Sequence, residues 1–127
     1  MHDFATQLFQ DERGILHVLN TLPFPAVRAF AIAKVPQGQT RGHHAHRACE
    51  QVAYCVAGGC RLELSNGRTG RNCELTPGAA VHIPALTWIV LRDFTPEAVV
   101  VVLASEAYSP PISDEAEFLR EIESRTA

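Results

Sequence analysis

Residues 60–75, "CRLELSNGRTGRNCEL", place two strand-like runs on either side of an Asn66-Gly67 dipeptide. Asn-Gly supplies the positive φ angles of a tight hairpin turn, so this stretch predicts two antiparallel strands. Reading outward from it, "EQVAYCVAGG" (50–59) is an apolar strand halted by paired glycines, and "VRAFAIAKV" (27–35) is a strand closed by "PQGQ". "GILHVLN" (14–20) alternates well enough for another strand, and "RGHHAHR" (41–47) is compatible with an extended chain. Downstream, "TPGAAVHIPALTWIVLRDF" (76–94) gives two strand pieces around Pro84, and "EAVVVVLAS" (97–105) a last one. Beyond Pro110-Pro111 comes the one convincing helix, "SDEAEFLREIESR" (113–125). Ser113 or Asp114 can cap it, and Phe118, Leu119 and Ile122 form an apolar stripe for docking on the body. Short, evenly spaced strands plus one terminal helix predict an all-β sandwich or barrel, and a small barrel encloses one ligand-sized cavity.

Size and charge narrow the function. The chain has 127 residues, enough for one core and read here as a single domain over 1–127. Eleven basic residues against 14 acidic ones give a net charge of -3, so no basic stripe for nucleic acid exists. Any phosphate must be met by a few placed arginines. The longest apolar run is too short to span a bilayer, and the N-terminal stretch lacks the basic start and apolar run of a secretory signal. Cys49, Cys55, Cys60 and Cys73 form no C-x-x-C pair and read as reduced structural thiols, consistent with a cytoplasmic protein.

The chemistry concentrates in "RGHHAHRACEQ" (41–51). In an extended chain His44 and His46 share a face, with Cβ atoms roughly 6.6 Å apart, while His43 and Ala45 point the other way. Such a pair can chelate a metal together with Glu50, leaving open positions as in two-His-one-carboxylate iron sites. It can equally address neighbouring carbons of one small molecule as acid and base, since imidazole titrates near working pH.

The spacing G-x5-H-x-H-x3-E, from Gly38 to Glu50, resembles the first signature of the cupin superfamily, and "PGAAVHIPALTWI" resembles the second. Where metal-binding cupins place a further histidine after that proline, this chain has Trp88 or Ile89, and neither can ligate. With "DERG" (11–14), "IPALTW" (83–88) and "VVLAS" (101–105), the motif R-G-x-H-A-H-x-x-x-E-Q resembles the nucleotide-sugar 3,4-ketoisomerases, over nearly the whole chain. The resemblance implies a small cupin jelly roll and a homodimer with exchanged strands. It implies a shift of the ketone of a dTDP-4-keto-6-deoxyhexose from C4 to C3 without metal or organic cofactor, with His44 and His46 as the catalytic residues. Arg41 would stabilise the enediolate or hold the diphosphate. Arg13, near the nucleotide, and Tyr108, at the barrel rim, match family positions, while Arg28 could face phosphate or solvent and Trp88 could line the cavity mouth beside the sugar. Two departures stand out. Members commonly carry a tyrosine pair where this chain has Phe30 and Ala31, and often a histidine where it has Ile89. A metal-dependent cupin oxygenase and a non-catalytic sugar-nucleotide-binding cupin are the alternatives at this point.

Overall fold

The computed structural model describes residues 2–3 and 6–126. Eleven strands precede one helix: β1 (His2–Asp3), β2 (Gln7–Asp11), β3 (Gly14–Val18), β4 (Arg28–Ala33), β5 (Arg41–His44), β6 (Gln51–Ala57), β7 (Cys60–Ser65), β8 (Gly70–Leu75), β9 (Ala80–Ile83), β10 (Trp88–Arg92), β11 (Val99–Ala104) and α1 (Glu115–Thr126). They form a five-stranded sheet in the order β1-β9-β6-β11-β4, a four-stranded sheet β5-β10-β7-β8, and a separate hairpin β2-β3. All pairings are antiparallel. The expected all-β jelly roll with one C-terminal helix is the observed architecture.

Parity explains where each face goes. On β7, Cys60, Leu62 and Leu64 are buried while Arg61, Glu63 and Ser65 are only partly covered, the alternation of a strand with one wet face. Their apolar face meets Ala53, Cys55, Val81, Ile83, Val100 and Val102 of the opposite sheet, which is the main core. Strands buried on both faces read as unbroken apolar runs. β10 is the clearest case: Ile89 and Leu91 enter the main core, while Trp88 and Val90 pack outward with Ala45, Ile112 and Phe118 beneath α1. On β6, Val52 and Tyr54 turn away from the core and are covered by Phe24, Leu19 and Leu22 of the β3–β4 connection.

Three local readings differ from expectation. Of the Asn66-Gly67 pair only Gly67 takes a positive φ (90°), and Asn66 contributes its side chain instead. Its Oδ1 accepts from the backbone N–H groups of Arg68 and Thr69 at 2.9 Å each, an alternative local bond that Asn favours in turns. On α1, Asp114 does cap, accepting from the Ala116 N–H at 2.9 Å. The docking face uses Phe118 and Ile122, however, and leaves Leu119 exposed, because 119 lies off the 118–122 line of the helix. Finally, β2 went unread, since "QLFQD" has no alternation and all five of its residues are exposed.

β4 ends the larger sheet and β5 ends the smaller, and the two are consecutive in the chain through residues 34–40. Lys34 breaks β4 with a positive φ of 56°. The two edges are not bonded to each other, and the opening between them leads into the sandwich.

Candidate active site

Gly42 and His43 both adopt left-handed φ angles, 92° and 57°. Opposite them, Ile89 pairs with His44 and Val90 with Gly42, so two steps along β5 face one step along β10. His43 is therefore the extra residue of a β-bulge, a device that re-aims neighbouring side chains. It turns outward, its Nε2 at 2.8 Å from the Thr40 hydroxyl. Gly42 has two reasons to be glycine: its φ, and an added Cβ that would stand 2.7 Å from the Ile89 carbonyl oxygen. Past the bulge, Ala45 exchanges two backbone hydrogen bonds with Ile112, at 3.0 and 2.8 Å, and is fully buried under α1. The His46 carbonyl accepts from Leu86 N–H at 2.7 Å. These anchors hold the flanking histidines rigidly.

The rings of His44 and His46 meet edge to face, with centroids 5.1 Å apart. Both are half-buried. Burial lowers the pKa of His44, and the neighbouring His43 and Arg41 push it the same way. His46 is pushed down from 6.5 to about 4, first by burial, then by His44 and Arg28. Both imidazoles are thus neutral near pH 7, the form that can accept a proton. Beside His46, the Arg28 guanidinium lies between two aromatic rings, 4.9 Å from the centre of Phe30 and 5.5 Å from that of Tyr108. Arg28 Nε and His44 Nδ1 are buried without hydrogen-bond partners.

The pocket between the sheets is lined by His44, Arg41 and Gly42 on one side and by Phe30, Ile32 and Gln51 on the other, over an apolar floor that includes Leu62, Ile83 and Ile89. It measures about 70 Å³ and opens, across Ile32 and Arg41, toward an outer groove of about 420 Å³ lined also by Lys34, Gln39 and Thr40. Phe30 and Gln51 are pocket residues that the sequence reading did not assign. Their signal was parity: Gln51 shares a face with Ala53 and Cys55, and Phe30 with Arg28 and Ile32. Ala31 lies on the opposite, exposed face of β4 and lines the outer groove, so of the two departures on that strand only Phe30 touches the inner pocket.

His44, His46, Arg28, Arg41 and Tyr108 are brought together around this opening. The others are not. Trp88 is a correction: instead of lining the cavity mouth it stacks on Phe118, centroids 5.6 Å apart, because its parity on β10 points it toward α1. Arg13 sits at the tip of the β2-β3 hairpin, 84% exposed, with its guanidinium 2.6 Å from the Asp11 carboxylate. Within this chain it joins none of the pocket residues. Glu50 does not turn toward His44 and His46; its carboxylate meets His82 Nε2 at 2.8 Å. Among the described residues, no group of three or more His, Cys, Asp or Glu side chains is placed to hold a metal ion.

The family described as "FdtA: WxcM-like, C-terminal" matches residues 1–123. A TDP-4-oxo-6-deoxy-alpha-D-glucose-3,4-oxoisomerase of Aneurinibacillus thermoaerophilus is 31% identical over 115 residues, 87% of this chain and 79% of that protein. The crystal structure of a 3,4-ketoisomerase from Helicobacter canadensis has a TM-score of 0.89 at 31% identity, over 96% of each chain. A mutant of the 3,4-ketoisomerase QdtA from Thermoanaerobacterium thermosaccharolyticum, in complex with TDP-4-keto-6-deoxyglucose, has a TM-score of 0.90 at 28% identity, over 98% of this chain and 94% of that one. With a match spanning almost its whole length, the chain belongs to the FdtA family of WxcM-like C-terminal domains.

Proposed function

We propose that this chain is a nucleotide-sugar 3,4-ketoisomerase that shifts the ketone of a TDP-4-keto-6-deoxyhexose from C4 to C3, with His44 and His46 as the acid–base pair. The observation that carries the reading is the pair of neutral, half-buried imidazoles 5.1 Å apart in a chain of this family. A C3 hydrogen beside the C4 carbonyl is acidic. One neutral imidazole takes it, leaving an enediolate across C3 and C4, and the imidazolium so formed exchanges with solvent and returns a proton to C4. The second imidazole moves a proton between the two oxygens, from O3 to O4. Positioned groups of this kind contribute about 10²–10⁴-fold each. The developing negative charge needs fixed donors, and each histidine has a cation beside it: Arg41 near His44 and Arg28 near His46. The inner pocket holds part of a sugar at most, so the nucleoside diphosphate lies outside it, where Arg41 opens on the groove and Tyr108 is exposed.

The working unit of this reading is a homodimer. An isolated two-stranded hairpin is marginal in water, yet β2-β3 projects with Leu8, Phe9, Ile15 and Leu16 exposed. A second copy covers that surface, and Arg13 travels with the hairpin. The free thiols of all four cysteines fit the cytoplasm. Among the described residues no helix is long and apolar enough to cross a membrane.

The test is incubation with the 4-keto sugar in deuterated water. A 3-keto product carrying deuterium at C4 is expected, and recovery of unchanged sugar overturns the reading. His44→Asn and His46→Asn should each lose turnover while keeping the native circular dichroism spectrum. Full activity in either removes that residue from the pair.

A further inference from the structure

The interior row at the histidine end of the larger sheet is unusual in composition. Ala104 of β11 pairs with Arg28 on one side and Gln51 on the other, and all three side chains face inward. Arg28 and Gln51 are thus two strand spacings apart, roughly 10 Å, with only a methyl group between them. Gln51 is 3% exposed, at a position where the neighbouring inward residues of its strand are Ala53 and Cys55. No hydrogen bond joins its carboxamide to another described residue, and the side chain lines the pocket with His44 and Phe30. The only ring above it on β4 is Phe30, which offers no polar atom. The Gln51 carboxamide is the one side-chain amide that lines this pocket. Two groups nearby, Arg28 Nε and His44 Nδ1, are buried without partners. His44 and the Gln51 carboxamide line one pocket, and a ligand seated there can supply hydrogen-bonding atoms from outside the chain.

Resting on the ketoisomerase reading, we propose that Gln51 is a sugar-binding residue whose carboxamide reads the vicinal hydroxyl and keto oxygens of the substrate. The match is chemical. An α-hydroxyketone presents one donor and one acceptor on adjacent carbons, and a carboxamide presents one acceptor and two donors side by side. Arginine offers donors only and an ionised carboxylate acceptors only, so neither can both donate to the ketone and accept from the hydroxyl. The ketone and the hydroxyl exchange places during the reaction, and the amide can serve the substrate and the product from the same position. Unlike a carboxylate, it has no charge with which to alter the two histidines.

The experiment compares wild type with Gln51→Leu and Gln51→Met on three readouts: kcat/KM for the TDP-4-keto sugar, affinity for TDP alone by calorimetry, and thermal midpoint. The expected result is a fall in kcat/KM of about 10²-fold, the scale of losing one donor in a polar site. TDP affinity should stay within twofold, and the midpoint should be unchanged or higher. Wild-type kcat/KM in both variants overturns the proposal. So does a parallel loss of midpoint, TDP affinity and rate in both, which marks a residue that only holds the fold. Wild type separates the two levels of argument: if it forms no 3-keto sugar, the ketoisomerase reading falls and takes this inference with it. If it turns over and the variants match it, this inference alone falls.

Discussion

The two histidines are governed by different neighbours, and that difference is measurable. His46 is held near 4 by burial, His44 and Arg28, whereas an ordinary imidazole titrates near 6.5. If a neutral imidazole removes the C3 proton, kcat/KM should stay flat from pH 7.5 down through 6.5 and fall only below it. An acid limb centred at 6.5 or above would show that the surroundings do not depress the base. Gly42 supports the same pair from beneath the bulge. Gly42→Ala forces a side chain onto a φ of 92° and against the Ile89 carbonyl oxygen. We expect about 1–3 kcal/mol of lost stability by urea denaturation, with reduced turnover. The histidine pair was legible because H-x-H puts two side chains on one face whenever the chain is extended. The bulge at His43 was not, since it depends on the register between β5 and β10, which no local pattern encodes. For the same reason the partner of Glu50 was not legible: β6 and β9 fix its nearness to His82, through the pairing of Val52 with His82.

Helix α1 closes the outer side of the histidine strand through Phe118, which is 1% exposed against Trp88, Val90, Ala45 and Ile112. Phe118→Ala should cost about 3–5 kcal/mol by denaturation, while Asp114→Ala, which removes only a cap, should cost about 1. Equal effects would mean that the helix contributes through its cap and not its face. The β2-β3 hairpin makes the opposite case, an element whose apolar residues Phe9, Ile15 and Leu16 stay more than half exposed. Phe9→Glu should shift the protein from dimer to monomer in light scattering coupled to size exclusion, and an unchanged mass would place the dimer surface elsewhere. Strands with one wet face, such as β7, announced themselves by alternation. Trp88 did not reveal its side, because β10 is buried on both faces and an unbroken apolar run carries no parity.

Protonation links the site to the stability of the whole molecule. His44 and His46 have lowered pKa values when folded and ordinary ones when unfolded, so between about 6.5 and 4 the unfolded chain binds more protons. The native state is therefore fully favoured above pH 6.5 and loses stability as pH falls toward 4. Denaturation at pH 7.5 and 4.5 should show that loss, and His46→Asn should make it smaller. An equal pH dependence in wild type and variant would show that other groups govern acid sensitivity. The architecture as a whole was readable from strand spacing and turn residues, whereas the order of strands across the two sheets was not, because long-range pairing is set by the assembled core.

The rims of the opening belong to β4 and β5, two sheet edges with no ladder between them. Arg28, Phe30 and Ile32 can therefore be exchanged during divergence without disturbing any cross-strand bond on that side. Substitutions on that rim should change sugar preference before they change strand pairing.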